Sequence, residues 1–183
     1  DSPVNKSIND VSKSLEALIN NAKSSIDIAA YGFSGQDKII NALKRAKERG
    51  VIIRGVVDDY GTSLYPDTTK MIDEFGFKTD VYAPLTKKKM DTDITRSQSA
   101  LMHNKFAVID KKYVWTGSTN ISDSCMTYNA NNSVVIYSPE IAEVYSKEFA
   151  QMYEENKFHI LKSIIPDKTN ILAVSYTHLT LPT

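Results

Sequence analysis

The feature that most constrains the fold is the strand, helix and strand pattern of residues 25–57. Residues 25–33 are rich in strand-forming side chains, and residues 36–49 carry apolar side chains on one helical face before Gly50. Residues 51–57 then form a nearly continuous apolar run, which is typical of a strand covered on both faces. Two strands joined by a helix of this length predict a crossover unit with parallel strands.

The rest of the chain continues the alternation of helices and strands. Apolar residues recur at helical spacing in residues 10–23, 68–75 and 139–153, and residues 78–82 and 133–137 are predicted to be strands. Residues 102–109 and 113–116 are joined by a tight turn, which predicts an antiparallel hairpin. We therefore expect an α/β fold, with a mixed, mainly parallel β-sheet flanked by helices on both faces.

The length of the chain favours one domain. With 183 residues, 42% of them hydrophobic, it can form one compact domain with a core and is short for two. We assign residues 1–170 to this domain. Residues 174–183 fit no earlier pattern and resemble translated adaptor DNA from sequencing libraries, so we expect a non-native or disordered tail.

The charge balance excludes a global attraction to polyanions. The 22 basic and 22 acidic side chains cancel, so nucleic acid or an anionic membrane must be held by a local patch. Cys125 is the single cysteine, so the fold does not depend on an internal disulfide. No apolar run reaches the length of a membrane span. We expect a soluble protein without stable membrane insertion, periplasmic or secreted if a leader was removed before Asp1 and cytoplasmic otherwise.

The residues that carry chemistry begin in one segment, MHNKFAVID at residues 102–110. It holds the pattern His-x-Lys-x4-Asp, and Gly-Ser-Thr-Asn follows at residues 117–120. Side chains alternate between two faces of an extended strand, so His103 and Lys105 should point to the same side. Ser118 and Asn120 should share that face if the second strand of the hairpin persists through Asn120.

These side chains suit phosphoryl transfer. In such reactions a nucleophile attacks phosphorus while cations and hydrogen-bond donors stabilise charge on the non-bridging oxygens. We expect His103 to attack, and Lys105, Ser118 and Asn120 to bind the phosphate oxygens. Asp110, beside the turn, is expected to hold local geometry through hydrogen bonds. A lone histidine in an apolar strand is usually a core residue, so only the full constellation favours the catalytic interpretation.

The motif resembles the signature of the phospholipase D superfamily, and the similarity extends over residues 11–153. The group that the chain most resembles is the small bacterial endonucleases with a single motif, in which residues 31–33 and 36–59 have counterparts. The resemblance implies a metal-independent phosphodiesterase without a cofactor. One motif histidine would form a phosphohistidine while a second protonates the leaving oxygen. The resemblance also implies that Tyr31 is a supporting residue of the site.

This chain carries one such motif. His159 has leucine rather than lysine two residues further on, so it does not begin a second copy. The second histidine must then come from another subunit, and a twofold homodimer supplies it because a residue near the axis faces its own copy. We therefore expect a homodimer in which two His103 side chains meet around one phosphorus atom.

One position departs from the family pattern. The resemblance places a glutamate eleven residues after the motif asparagine, bonded to the nucleophilic histidine, whereas this chain has Asn131. An amide can accept a hydrogen bond from an imidazole N–H but cannot stabilise an imidazolium by charge. We expect a less basic and slower nucleophile and no effect on the fold.

The sequence leaves the substrate class open. A long polar loop at residues 84–100 carries four basic residues that could contact a nucleic-acid backbone, although three consecutive lysines are usually a solvated surface: Lys87, Lys88, Lys89 and Arg96. A non-specific endonuclease is the first interpretation. The second is a phospholipase D or phosphatidyltransferase acting on lipid headgroup esters, although the sequence shows no evident amphipathic membrane-binding segment. A catalytically weak binding module and the first half of a longer two-motif enzyme are further alternatives.

Overall fold

The computed structural model describes residues 11–80, 101–158 and 162–163. Its helices are α1 (Val11–Asn21), α2 (Asp37–Glu48), α3 (Asp59–Leu64), α4 (Thr68–Phe75), α5 (Asp123–Thr127) and α6 (Pro139–Tyr153). Its strands are β1 (Ser25–Ala30), β2 (Phe33–Ser34), β3 (Ile52–Val57), β4 (Lys78–Thr79), β5 (Lys105–Ile109), β6 (Tyr113–Gly117), β7 (Ile121–Ser122) and β8 (Ser133–Tyr137).

Six strands form one mixed sheet in the order β4-β3-β1-β5-β6-β8, and β2 pairs with β7 in a small second sheet. β4, β3 and β1 are parallel neighbours, so the crossover predicted from residues 25–57 is present. The pairs β1–β5, β5–β6 and β6–β8 are antiparallel. The predicted mixed sheet is confirmed, but parallel pairs predominate only in its first half. The short turn between β5 and β6 leaves too few residues for a parallel crossover.

Helices cover both faces of the sheet, as predicted. On one face, α1 and α2 bury side chains that are 0% exposed: Leu15, Ile19, Ile39, Ala42, Leu43 and Ala46. On the other face, α6 buries three more: Ala142, Phe149 and Met152. Burying one of these leucine, isoleucine, phenylalanine or methionine side chains stabilises the fold by about 1.5–3 kcal/mol. Within the described ranges, no helix is long and apolar enough to cross a membrane.

One predicted strand boundary is wrong, and one condition set for a shared strand face is not met, at the positions that matter for the site. The strand expected from residue 102 begins at Lys105, so His103 lies before it. β6 does not persist through Asn120 but ends at Gly117, where φ is 153°. There the chain approaches the backbone of Asn132 closely, since a Cβ at Gly117 would lie 2.2 Å from the Asn132 carbonyl oxygen. Ser118 donates its backbone N–H to the same oxygen at 3.0 Å, which turns the chain out of the strand.

Several sequence predictions lie outside the described residues. They are the polar loop with Lys87, Lys88, Lys89 and Arg96, the position of His159, and the tail at residues 174–183. The predicted strand at residues 78–82 is described only as β4.

α3 packs directly against the end of β1 because Gly61 has no side chain. Asp58 caps this helix, its carboxylate accepting from the Gly61 N–H at 2.8 Å. A Cβ at Gly61 would lie 2.1 Å from the carbonyl oxygen of Tyr31. The two backbones can therefore approach this closely only with glycine at position 61.

Gly61→Ala should destabilise the fold, although alanine is normally the better helix former. The added methyl group must displace the backbone at Tyr31, and overpacking of this kind costs about 1–3 kcal/mol. In an exposed helix the same change would instead increase the free energy of unfolding by about 1 kcal/mol. Urea unfolding of both proteins measures the free energy of unfolding. An unchanged or higher value in the variant would show that the backbones separate without cost.

Candidate active site

Several of the predicted site residues gather at one end of the large sheet, whereas Asp110 lies at the other end. Because β1 and β3 are parallel, with Ala30 paired to Val57, Tyr31 and Asp58 follow their strands at the same end. Ala30 also pairs with Lys105, the first residue of β5, which brings the motif to this end as well. His103 is exposed here and Lys105 is buried. The carboxyl ends of parallel strands, where ligand sites commonly form, therefore border the motif.

Asp58 fixes the segment that carries His103. Its carboxylate is 1% exposed, and one oxygen accepts from the Met102 N–H at 2.7 Å while the other accepts from the Gly61 N–H. Both donors are backbone groups that need a partner when buried. One carboxylate therefore ties α3 to the residue before His103. Asp58 is not among the site residues predicted from sequence, although an aspartate directly after a buried strand is a signal that could have indicated it.

His103 and Lys105 converge, but not through alternation along one strand. The Lys105 Nζ donates to the backbone carbonyl of His103 at 2.9 Å and lies 6.0 Å from the centroid of the Tyr31 ring. The His103 ring packs edge-on against the same Tyr31 ring, with 5.4 Å between centroids. The ammonium and the imidazole thus share Tyr31 as a neighbour.

Burial sets the protonation of this cluster. It lowers the pKa of Lys105 to about 8, although nearby Cys125 and Asp58 act in the opposite direction. Partial burial, followed by the charge of Lys105, also lowers the pKa of His103. Burial and the Asp58 carboxylate raise the pKa of Tyr31 to about 12, so its hydroxyl stays protonated. At neutral pH the site therefore combines a cation with a neutral imidazole, whose lone pair can attack an electrophile.

Asn120 belongs to the same cluster through Tyr65. Its Nδ2 donates to the Tyr65 hydroxyl oxygen at 3.5 Å and contacts the Cys125 sulfur at 3.7 Å. The Tyr65 ring packs edge-on against Tyr31 at 5.4 Å between centroids. Contacts therefore run from His103 through two tyrosines to Asn120. The motif did not indicate Tyr65, because the residue lies far from it in sequence.

Ser118 is held by the loop that contains Asn131. Its hydroxyl donates to the Asn131 Oδ1 at 3.2 Å and accepts from the Asn132 N–H at 3.0 Å. The Asn131 Nδ2 donates to the carbonyl oxygen of Cys125 at 3.1 Å. In the part of the chain that the structure describes, the hydrogen-bond partners of the Asn131 side chain are therefore Ser118 and Cys125. The side chain braces a loop.

Asp110 lies at the end of β5 opposite His103. Its carboxylate accepts from the backbone N–H groups of Lys23, Ser24 and Ser25 and from the Ser24 hydroxyl, at 2.7–3.1 Å. Burial alone would raise the pKa of Asp110, but these hydrogen bonds outweigh it and lower the pKa. Because a strand advances about 3.3 Å per residue, the length of β5 separates Asp110 from the site. Asp110 can therefore influence the site only by holding β5 in place.

The cluster offers a nucleophile, a cation and neutral hydrogen-bond donors. Such a set suits an anion with several oxygens, such as a phosphate group. Among residues 11–80, 101–158 and 162–163, no group of three or more His, Cys, Asp and Glu side chains is arranged to hold a metal ion.

Known proteins share this sequence and fold. A family model described as "Cardiolipin synthase, PLD-like domain" matches residues 15–153. The phospholipase D of Rickettsia conorii is 33% identical over 138 residues, which are 75% of this chain and 62% of that protein. The mitochondrial cardiolipin hydrolase of Mus musculus is 26% identical over 145 residues, 79% of this chain and 58% of that protein. The chain thus spans less than two thirds of the length of either relative.

Solved structures show the same architecture. Nuc from Salmonella typhimurium, described as a phospholipase D family member, matches with a TM-score of 0.62 and 29% identity, over 79% of this chain and 86% of that one. NucT from Helicobacter pylori matches with a TM-score of 0.59 and 22% identity, over 79% and 87% of the two chains. At the lower identity the likeness shows the fold alone.

The affinity of the site for sulfate should fall as the pH rises through about 8, where Lys105 loses its proton. Sulfate keeps its charge in this pH range, so a change in its affinity reflects a change in the protonation of the protein. Losing a charge-assisted hydrogen bond should weaken binding by roughly tenfold or more. Lys105→Arg should remove the fall, because guanidinium stays protonated in proteins. Sulfate titrations at constant ionic strength measure the affinity at each pH. A wild-type affinity that does not change with pH would contradict this prediction.

Proposed function

This chain belongs to the phospholipase D superfamily of hydrolases, and we propose that it is a metal-independent phosphodiesterase, a non-specific endonuclease acting through a phosphohistidine. The observation that carries the proposal is the convergence of the neutral imidazole of His103 and the ammonium of Lys105 on Tyr31. A nucleophile beside a cation is what attack on a phosphodiester requires.

The proposed reaction has two steps. The imidazole of His103 attacks phosphorus, and the P–N bond forms as the bond from phosphorus to the leaving oxygen breaks. A second histidine, which must be protonated in the complex while the first is neutral, donates its proton to that oxygen. Water then attacks the phosphohistidine and gives a proton to the second histidine, the P–N bond breaks, and a phosphate monoester leaves with both histidines restored. Lys105, Ser118 and Asn120 would hold the non-bridging oxygens in both steps.

The second histidine is proposed to be His103 of another copy. His103 is exposed in the single chain, so a twofold axis beside it can bring two imidazoles to one phosphorus. Two large apolar side chains that are close in sequence to Tyr65 and Cys125 support this arrangement. Leu64 precedes Tyr65 and is 56% exposed, and Tyr128 caps α5 and is 71% exposed. Exposed apolar side chains around a site are typical of a surface that a partner covers.

A lipid phosphodiester is the second candidate substrate. The relatives named phospholipase D and mitochondrial cardiolipin hydrolase favour it. Both substrate classes contain the same phosphodiester linkage, so the same four side chains serve either reaction. We place nucleic acid first because the motif resembles that of single-motif bacterial endonucleases. The basic residues proposed to contact its backbone lie outside the described part of the chain: Lys87, Lys88, Lys89 and Arg96.

The purified protein should hydrolyse DNA or bis(p-nitrophenyl) phosphate without added metal and in excess chelator. His103→Ala should reduce kcat by roughly 10⁴-fold or more, because the nucleophile is lost. Lys112→Ala, at an exposed position in the β5–β6 turn, serves as the control and should retain activity. Parallel assays with cardiolipin vesicles decide the substrate class, since faster lipid turnover would favour the second candidate. Cleavage that survives in His103→Ala would overturn the proposed mechanism.

The wild-type protein should sediment as a dimer, and Leu64→Glu with Tyr128→Glu should shift it to a monomer. A carboxylate cannot be buried in an apolar interface without a partner. Turnover should fall in proportion to the monomer fraction. Ile52→Glu is the matched control, because Ile52 is 64% exposed at the opposite end of β3. A wild type that is strictly monomeric at full turnover would exclude the shared site.

A further inference from the structure

Tyr65 is a residue of the site that the proposed reaction does not use. It lies between α3 and α4, half-buried, with its hydroxyl oxygen 3.5 Å from the Asn120 Nδ2. We propose that Tyr65 is a positioning residue, which orients the Asn120 carboxamide for donation to a phosphate oxygen. This inference rests on the proposed phosphodiesterase function and deepens it.

Backbone and ring contacts fix the position of Tyr65. Its N–H donates to the Gly61 carbonyl at 2.9 Å, and its own carbonyl accepts from the Thr68 N–H at 3.0 Å. Its ring meets Tyr31 edge-on, with an interplanar angle of 87°. Gly32 leaves space for the ring, since a Cβ there would lie 3.0 Å from the Tyr65 Cβ and 3.1 Å from its Cγ. Because both the backbone and the ring of Tyr65 are held, its hydroxyl has a fixed position next to the Asn120 carboxamide.

Asn120 needs such a partner more than Lys105 does. It lies between β6 and β7, outside both strands, whereas Lys105 belongs to β5. A carboxamide can rotate, and only its amide end can donate to a phosphate oxygen. The Tyr65 hydroxyl and the Cys125 sulfur both contact that amide end. The Tyr65 hydroxyl, which accepts one amide hydrogen, limits this rotation. The second hydrogen points to the Cys125 sulfur, a weak acceptor that a phosphate oxygen of the substrate would replace.

Tyr65→Phe separates the hydroxyl from the ring. It keeps the edge-on packing on Tyr31 and removes only the group that contacts Asn120. The loss of one neutral hydrogen bond should lower kcat/KM for bis(p-nitrophenyl) phosphate by roughly 3- to 10-fold. Tyr137→Phe is the matched control, because Tyr137 is 66% exposed on β8 and its ring also packs on a tyrosine, Tyr113, with 5.0 Å between centroids. The control and the wild type should have the same kcat/KM, and thermal unfolding should show that all variants remain folded.

A double-mutant cycle with Asn120→Ala tests whether Tyr65 acts through Asn120. If it does, Tyr65→Phe lowers kcat/KM in the wild-type background and has no further effect in Asn120→Ala. The same cycle is repeated with the dissociation constant for inorganic phosphate, which remains measurable when turnover is too slow. An equal fall in both backgrounds, or a fully active Tyr65→Phe beside an inactive His103→Ala, would overturn this inference alone. Activity in His103→Ala would instead overturn the proposed function.

Discussion

The buried carboxylate of Asp58 joins the two chain segments from which the candidate site is built. It binds the backbone N–H groups of Gly61 and Met102, and Met102 is 44 positions further along the chain. Without it, two backbone donors would lose their partner, at a cost of about 1–3 kcal/mol for each that is buried. Because α3 leads into Tyr65 and Met102 into His103, this one interaction sets where the aromatic cluster and the nucleophile lie relative to each other.

Desolvation then decides what the cluster can do. The chain has no net charge, so attraction of an anion depends on single residues and not on a global field. Lys105 is buried at the start of β5, which lowers its pKa while leaving it charged at neutral pH. Burial and this charge keep the nearby imidazole of His103 neutral. The same packing therefore prepares a cation to bind an anion and a base that can attack it.

Much of the fold and part of the site could be predicted from sequence. The crossover of residues 25–57, the β5–β6 hairpin, and helices on both faces follow from local periodicity, which the structure confirms. The strand face proposed for Ser118 and Asn120 required β6 to continue through Asn120, and Gly117 ends β6 where the Asn132 backbone comes close. The contact of Asn131 with Ser118 also differs from the bond to histidine that the resemblance implied. Each difference comes from a contact that local periodicity does not encode.

The sequence by itself determined the chemistry available to the chain, since the spacing of His103, Lys105 and Asn120 identifies a phosphoryl-transfer motif on one short segment and its continuation. Only the tertiary structure decided how those groups are held. Tyr65 reaches Asn120 across 55 residues, and Asp58 reaches Met102 across 44. Periodicity and motif spacing report which residues share a face of one element, whereas contacts over such separations depend on how whole elements pack.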